Sequence, residues 1–292
     1  MNICNKQLKY IIEVPTHIPH WNGLMIDRWS KSKFITIREN KSITCIKGPR
    51  RFRRNFNICK CNGISFGLDT WDYTEPTSDG DDIFHELGFI IKTSWNGDKQ
   101  FYKPIEDKYN ISIVPLSMFH YPGMLEYEQR FQWTNNNHSR LCFFSGDISN
   151  SRPSRKLLYN KLVDNNLFLE FGENWQDKFY ETSKLSRWGL ILQGRGPGHG
   201  GDAKNQRTPA YTSWGMPLAM NYIPHYPIPF EPNKDFVYVK TIDDIINLKN
   251  IDPIPYSKRS ELLYKQCLSI DGSVSMLLKL IQNQRKNNFN AY

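Results

Sequence analysis

The sequence predicts an α/β protein of two modest domains, and three observations predict it. At 292 residues the chain is long enough for two such domains or one large one. Its hydrophobic fraction of 39% and charged fraction of 23% are those of an ordinary folded protein, with 14% aromatics to fill a core. In its second half an apolar strand, a polar turn and a helical stretch follow one another repeatedly, which is the unit of a parallel α/β sheet. Composition excludes collagen, coiled coil, disordered chain and disulfide scaffold.

Taken in order, residues up to about 135 read as short β runs. Lys33–Ile37, Ser42–Ile46, Ile64–Leu68 and Gly88–Thr93 are rich in strand formers, with turn dipeptides at Asn62-Gly63 and Asn96-Gly97. The polar stretch Asn135–Ser139 has no periodicity and reads as the linker between halves, dividing the chain into 1–138 and 139–256. Arg140–Ser145 is an apolar strand ending at Gly146, and Arg155–Val163 has helical spacing. Asp177–Ser186 reads as a helix, Trp188–Gln193 as a buried strand and Arg207–Trp214 as a further helix. Pro217–Asn221 and Phe236–Val239 are strands. Asp243–Leu248, Ser257–Cys267 and Ser273–Gln284 are helices, the last two (257–292) packing back on the first domain. Tyr222–Phe230 has too many prolines for a helix and reads as an ordered turn, and Arg285–Tyr292 as a frayed tail.

The net charge is 38 − 29 = +9, which points to an anionic partner without naming it. No stretch of about 18 uninterrupted apolar residues occurs, so no transmembrane segment is expected. The start MNICNKQLKYIIEVPTHIPHW lacks the apolar run of a secretory signal, and six scattered cysteines suit a reducing compartment. Cytoplasmic residence is the expectation, with a lumenal enzyme whose signal has been removed still open. Cys59-Lys60-Cys61 has no second ligand pair at zinc spacing, so no metal site is expected.

The most informative stretch is Trp188–Tyr226. A buried strand runs into Gly194, Gly196, Gly198, Gly200 and Gly201, and then into Arg207-Thr208-Pro209. Glycines after a strand let backbone N–H groups approach an anion, and Thr208 is placed to cap the following helix with Pro209 at its first position. Arg195, Lys204 and Arg207 bring the positive charge a diphosphate requires. The spacing is not the dinucleotide fingerprint, because His199 stands where its third glycine belongs, and there is no G-x-x-x-x-G-K-[ST] loop. A surface loop with incidental basic residues remains the alternative. A second strand end, Phe143–Arg155, carries Gly146 and then Arg152 and Arg155, readable either as anion ligands or as a solvated helix start. In a parallel sheet both loops leave the same carboxyl edge, where open α/β sheets bind ligands.

The second half resembles the donor-nucleotide domain of glycosyltransferases of the GT-B architecture, exostosin-like ones in particular. The residues carrying the resemblance are FFSGDISNSRPSRKLLYNKL, LILQGRGPGHGGDAKNQRTPAYTSWGMPLAMNY and PFEPNKDFVYVKTIDDI, within about residues 140–250. It implies two Rossmann-like domains facing across a cleft, and transfer of a sugar from a nucleotide diphosphate sugar to a glycan hydroxyl. The leaving diphosphate would be held by basic side chains rather than a metal, with Arg152, Arg155, Arg195 and Arg207 as candidates and Gly146, Gly194, Gly196, Gly198, His199 and Thr208 beside them. Where many such enzymes carry a glutamate that holds donor hydroxyls, this chain has Ala210. An inverting reaction also needs a base, and the first domain offers Asp69 and Asp72, at a strand end among aromatics, or His17. Each acid also reads as a turn cap, and a retaining reaction would need no such base.

The cluster Arg50-Arg51-Phe52-Arg53-Arg54 reads as a solvated loop, a polyanion patch or a contact for an acidic glycan. Rivals to the transferase are therefore a basic nucleic-acid-binding protein, which the placement of the other arginines disfavours, and a non-catalytic glycan-binding relative. The Asn-, Lys- and Ile-rich usage suits an AT-rich genome such as that of a large DNA virus or a protist.

Overall fold

A computed structural model describes residues 9–18, 20–43, 56–69, 81–92, 99–116, 131–136, 138–144, 156, 157, 159–161, 175–192, 207–221 and 230–289. They form two α/β units, each built on one sheet, and the expectation of a mixed α/β protein with parallel sheets holds.

The first sheet has the order β2-β1-β3-β4-β5-β6. Its strands are β1 (Tyr10–Val14), β2 (Ile35–Glu39), β3 (Phe56–Cys61), β4 (Ile64–Asp69), β5 (Phe89–Lys92) and β6 (Ser112–Pro115). Pairings β1–β2, β4–β5 and β5–β6 are parallel, while β3 is antiparallel to both β1 and β4. Five strands thus run one way, and their carboxyl ends at Val14, Glu39, Asp69, Lys92 and Pro115 share one edge. The β3–β4 hairpin turns at Asn62-Gly63, where φ is +52° and +80°. Two successive positive φ values make the tight turn whose twist suits a hairpin, and Asn-Gly tolerates both.

Helices cover both faces. One face packs on α1 (His20–Ser30) and α8 (Ile270–Phe289), with Met25, Ile26 and Trp29 meeting Val274, Leu277, Leu278 and Ile281 over Ile12, Cys59, Phe66 and Leu68. The α8 residues recur at i, i+3, i+4 and i+7, the stripe of a helix with one buried face. The other face packs on α2 (Asp81–Phe84) and α3 (Lys103–Tyr109) through Phe84, Tyr102 and Tyr109. With both faces covered, all four residues of β5 are buried.

The second sheet, β10-β9-β8-β7, is wholly parallel. Its strands are β7 (Arg140–Phe143), β8 (Ser186–Ile191), β9 (Leu218–Met220) and β10 (Val237–Tyr238). One face is covered by α4 (Trp175–Lys184), α5 (Arg207–Ser213) and α7 (Ile254–Leu263), the other by α6 (Ile242–Asn247). Thr241 caps α6: its side chain accepts from the Asp244 N–H while Asp244 accepts from the Thr241 N–H. The three backbone and side-chain donors on Asp244 hold its carboxyl below the usual carboxylate range.

The C-terminal segment joins the two units. Helix α7 is fixed to the second by Arg259, whose Nη2 lies 2.6 Å from the buried Asp235 Oδ1, while the Glu231 N–H donates to Asp235 Oδ2 at 2.8 Å. One π-helical stretch later (Tyr264–Leu268), α8 lies on the first unit. The buried Arg28 donates to the Leu268 carbonyl at 2.8 Å and Ser32 to Asp271 Oδ1 at 2.8 Å.

Several expectations change. The first half carries α1, α3 and strands β1, β3 and β6 that its short β runs did not reveal. No strand forms over 41–43, which turn, and the rest of the expected Ser42–Ile46 strand lies outside the described residues. Ser186 opens β8 rather than closing a helix. Asn135–Ser139 is no bare linker: His138 stacks on Trp133 with centroids 5.3 Å apart, and Trp133 is buried in the second unit's core. Burial lowers the His138 pKa below its ordinary value. Helix α8 continues to Phe289, through five of the residues expected to fray, and the last three lie outside the described residues. Tyr222–Pro229 lies outside the described residues.

Gly189, in β8, lies against α5: a Cβ there would come 2.6 Å from Tyr211 Cδ2. That close approach lets Tyr211 OH reach the Phe143 carbonyl at 3.3 Å. Gly189→Ala is expected to lower the unfolding free energy of the second unit by about 1–3 kcal/mol by overpacking, read by urea denaturation of the full chain.

Candidate functional site

Parallel pairing decides which loops meet. The register Cys142↔Trp188 and Phe143↔Gly189 aligns β7 with β8, and Ile191↔Met220 aligns β8 with β9, so all three strands point the same way. The segment after β7, which holds Gly146, Arg152 and Arg155, and the segment after β8, which holds Gly194, Arg195, Gly196, Gly198 and His199, therefore both leave the carboxyl edge. Those eight residues lie outside the described ones, and so does Asp72.

Arg207 is described. It opens α5, where the chain returns from the glycine-rich stretch, and its guanidinium carbon sits 5.4 Å from the ring centroid of Phe144, the residue just past β7. Arg207 thus spans from the second loop to the root of the first. Thr208 is not the cap that the sequence suggested: it is the second helical residue, with Pro209 third. Its hydroxyl is buried and has no hydrogen-bond partner among the described residues.

Behind this edge α5 is packed rigidly. Tyr211 stacks on Phe179 at 5.4 Å and meets Trp214 edge-on. Burial raises the pKa of its phenol, so Tyr211 stays neutral as a hydrogen-bond donor. Ala210 lies in this aromatic cluster, 2% exposed, so the place of the expected glutamate faces core. Cys142 is likewise buried, its thiol pushed up to about 12 by desolvation, which leaves it inert as a nucleophile.

The first sheet's carboxyl edge carries the candidate bases. His17 lies three residues beyond β1 and is exposed. Asp69 ends β4, but its carboxylate is 1% exposed and ion-paired at 3.2 Å with Lys92 Nζ, itself 0% exposed. The two stand opposite each other in register on neighbouring parallel strands. Sequence reasoning missed Lys92; an apolar run ending in a lysine directly across from a strand-end aspartate was the available signal. The arginines of 50–54 lie outside the described residues, while their flanks, Ile43 and Phe56, lie at this same edge side.

Among the described residues no group of three His, Cys, Asp or Glu side chains is placed to hold a metal, and no helix is long and apolar enough to cross a membrane.

No family model matches this chain, and no curated protein matches its sequence significantly. Solved structures that it is similar to are glycosyltransferases or complexes of them. The GtfA/B complex matches with a TM-score of 0.40 and 10% identity over 75% of this chain and 52% of that one. The pneumococcal O-GlcNAc transferase GtfA, in complex with UDP and GlcNAc, matches with a TM-score of 0.38 and 9% identity over 70% and 48%. A mutant of S. aureus TarM in complex with fondaparinux, alpha-GlcNAc-glycerol and UDP matches with 0.40 and 13% over 74% and 50%. The chain spans about half the length of each.

A buried ion pair is costly to break from one side. Lys92→Met leaves Asp69 buried without its partner and is expected to cost about 3–5 kcal/mol. Asp69→Leu combined with Lys92→Met should recover most of that loss in the same urea titration. A single variant as stable as the parent contradicts the pairing.

Proposed function

We propose that this chain is a glycosyltransferase of GT-B type that moves a sugar from a nucleotide diphosphate sugar to a glycan hydroxyl. Residues 139–256 hold the donor nucleotide, residues 1–138 present the acceptor, and residues 257–292 tie the two together. The observation that carries this reading is the position of Arg207, at the end of the glycine-rich segment and over Phe144 at the root of the arginine-bearing one. An anion at that carboxyl edge meets the guanidinium of Arg207 at the start of α5.

In the reaction the bond between the sugar's anomeric carbon and the diphosphate oxygen breaks, and the charge left on the diphosphate falls to Arg152, Arg155, Arg195 and Arg207. Arginines are always charged at neutral pH, so they can do this without a metal ion. The acceptor oxygen forms the new bond and gives up its proton. His17 is the base we assign for an inverting transfer, because it is exposed at its sheet's carboxyl edge and an imidazole nitrogen can take up the acceptor's proton. Asp69 is kept for holding Lys92 rather than for proton transfer. Since Ala210 faces core, the donor's hydroxyls must find another acceptor group. The reaction is assigned to the cytoplasm.

The test is a thermal-shift screen against UDP, GDP, CMP and a duplex oligonucleotide. A nucleoside diphosphate should raise the melting temperature, and Arg207→Ala should weaken its affinity roughly 10–100-fold, the loss of one charge-assisted contact. Salt-sensitive stabilisation by the duplex with no nucleotide effect sinks the reading.

A further inference from the structure

We propose that His138 is an acid-released clasp: its uncharged ring holds the segment between the two units against the C-terminal end of α5, and a charged ring lets that segment go. Residues 131–136 and 138 lie in the stretch of chain that joins β6 of the first unit to β7 of the second. The second unit holds them at successive points. The Phe131 ring meets Tyr180 at 6.2 Å and Trp214 at 5.7 Å, between ring centroids. Gln132 Nε2 donates to Glu261 Oε1 at 2.7 Å, and the Trp133 N–H donates to the Trp214 carbonyl at 2.7 Å. Trp214 directly follows α5, the helix that Arg207 opens. Trp133 is buried, and the half-buried His138 stacks on its ring with the planes 14° apart.

The bonding of the imidazole fixes which nitrogen carries its hydrogen. A carbonyl only accepts, so the 2.6 Å contact between His138 Nε2 and the Thr134 carbonyl places the hydrogen on Nε2. Nδ1 is then the bare nitrogen. It is buried and has no hydrogen-bond partner among the described residues. Protonation in place would turn it into a buried N–H without an acceptor. The neighbours with unmet hydrogen bonds of their own, Trp133 at Nε1 and Arg187 at Nε, are donors too. Such a group is costly where it stands and loses that cost on reaching water.

Charge acts in the same direction. Arg187 of β8 is the charged group that faces the ring, and its Nη1 and Nη2 are anchored on the Lys249 and Ile251 carbonyls at 3.1 and 3.2 Å. Trp133 and Thr134, the contacts from the segment itself, carry no charge, and no carboxylate among the described residues offsets the arginine at His138. Burial above all, and then the arginine's charge, outweigh the Thr134 bond and hold the ring's pKa below its ordinary value. The released segment therefore binds a proton more readily than the clasped one, and the proton is taken up in water. The clasp is at full strength above the ordinary histidine value of about 6.5 and weakens as the pH falls through the lower value of the clasped ring.

NMR titration and amide exchange of the full chain give the test. In the parent, the His138 Cε1–H should titrate at lower pH than in the urea-unfolded chain. The protection factor of the Trp133 N–H, which reads its bond to the Trp214 carbonyl, should fall at least about threefold between about pH 7.5 and pH 5. His138→Phe keeps a ring on Trp133 that takes no proton, so its protection factor should stay level across that range. His138→Gln serves the same comparison if the phenylalanine variant fails to fold. A Trp133 protection factor that is level in the parent overturns the proposal, as does one that falls equally in the uncharged variant. A His138 that titrates at or above its unfolded value overturns it as well. No nucleotide enters these measurements, so their outcome is independent of the transferase reading.

Discussion

Uniform strand direction is the constraint on which the rest of this structure depends. In a parallel sheet every strand ends at one edge, and the segments that follow must start there whatever their own conformation. In the second unit this brings the roots of the glycine-rich and arginine-bearing segments together at Phe144 and Leu192, with Arg207 returning over the Phe144 ring. In the first unit it gathers the loop of His17, the end of β4 and the start of β3. Function is read at these edges because backbone geometry leaves no other place where so many chain ends converge.

Packing behind the edges makes them rigid. Gly189 admits Tyr211, which is locked between Phe179 and Trp214, so the first turn of α5 is held from behind. In the first unit the buried Asp69–Lys92 pair ties the ends of β4 and β5. Burying two charges needs close mutual pairing to be tolerated, which makes a fixed geometry the natural result. The C-terminal segment then sets the units against one another. Gly272 allows α8 to pass close over the π-helical turn, where a Cβ would come 2.6 Å from the Lys265 carbonyl oxygen.

The second unit was legible because its signals are local. The helix at Arg207 and the strands at β7, β8 and β9 were found within a few residues, since apolar runs and glycine turns mark them directly. The first unit hid more. In α1, HWNGLMIDRWS, glycine, serine and a buried arginine blur the apolar face, and Arg28 donates to the carbonyl of Leu268, 240 residues away. Helix α7 begins at Ile254, three residues before the expected Ser257, with Pro255 in its first turn, where proline is favoured. Thr208 looked like a cap because threonine before proline is one, but the helix begins a residue earlier. Lys92 shows locally only as the end of an apolar run: its meaning comes from Asp69 on the strand beside it.

The central claim is that a nucleoside diphosphate binds at the carboxyl edge of the second sheet. Hydrogen–deuterium exchange of the full chain, with and without saturating UDP, tests it most directly. The account predicts slowed exchange in peptides covering 144–157 and 193–213, with residues 10–39 unchanged. Protection confined to the first unit, or none at any UDP concentration, would contradict it.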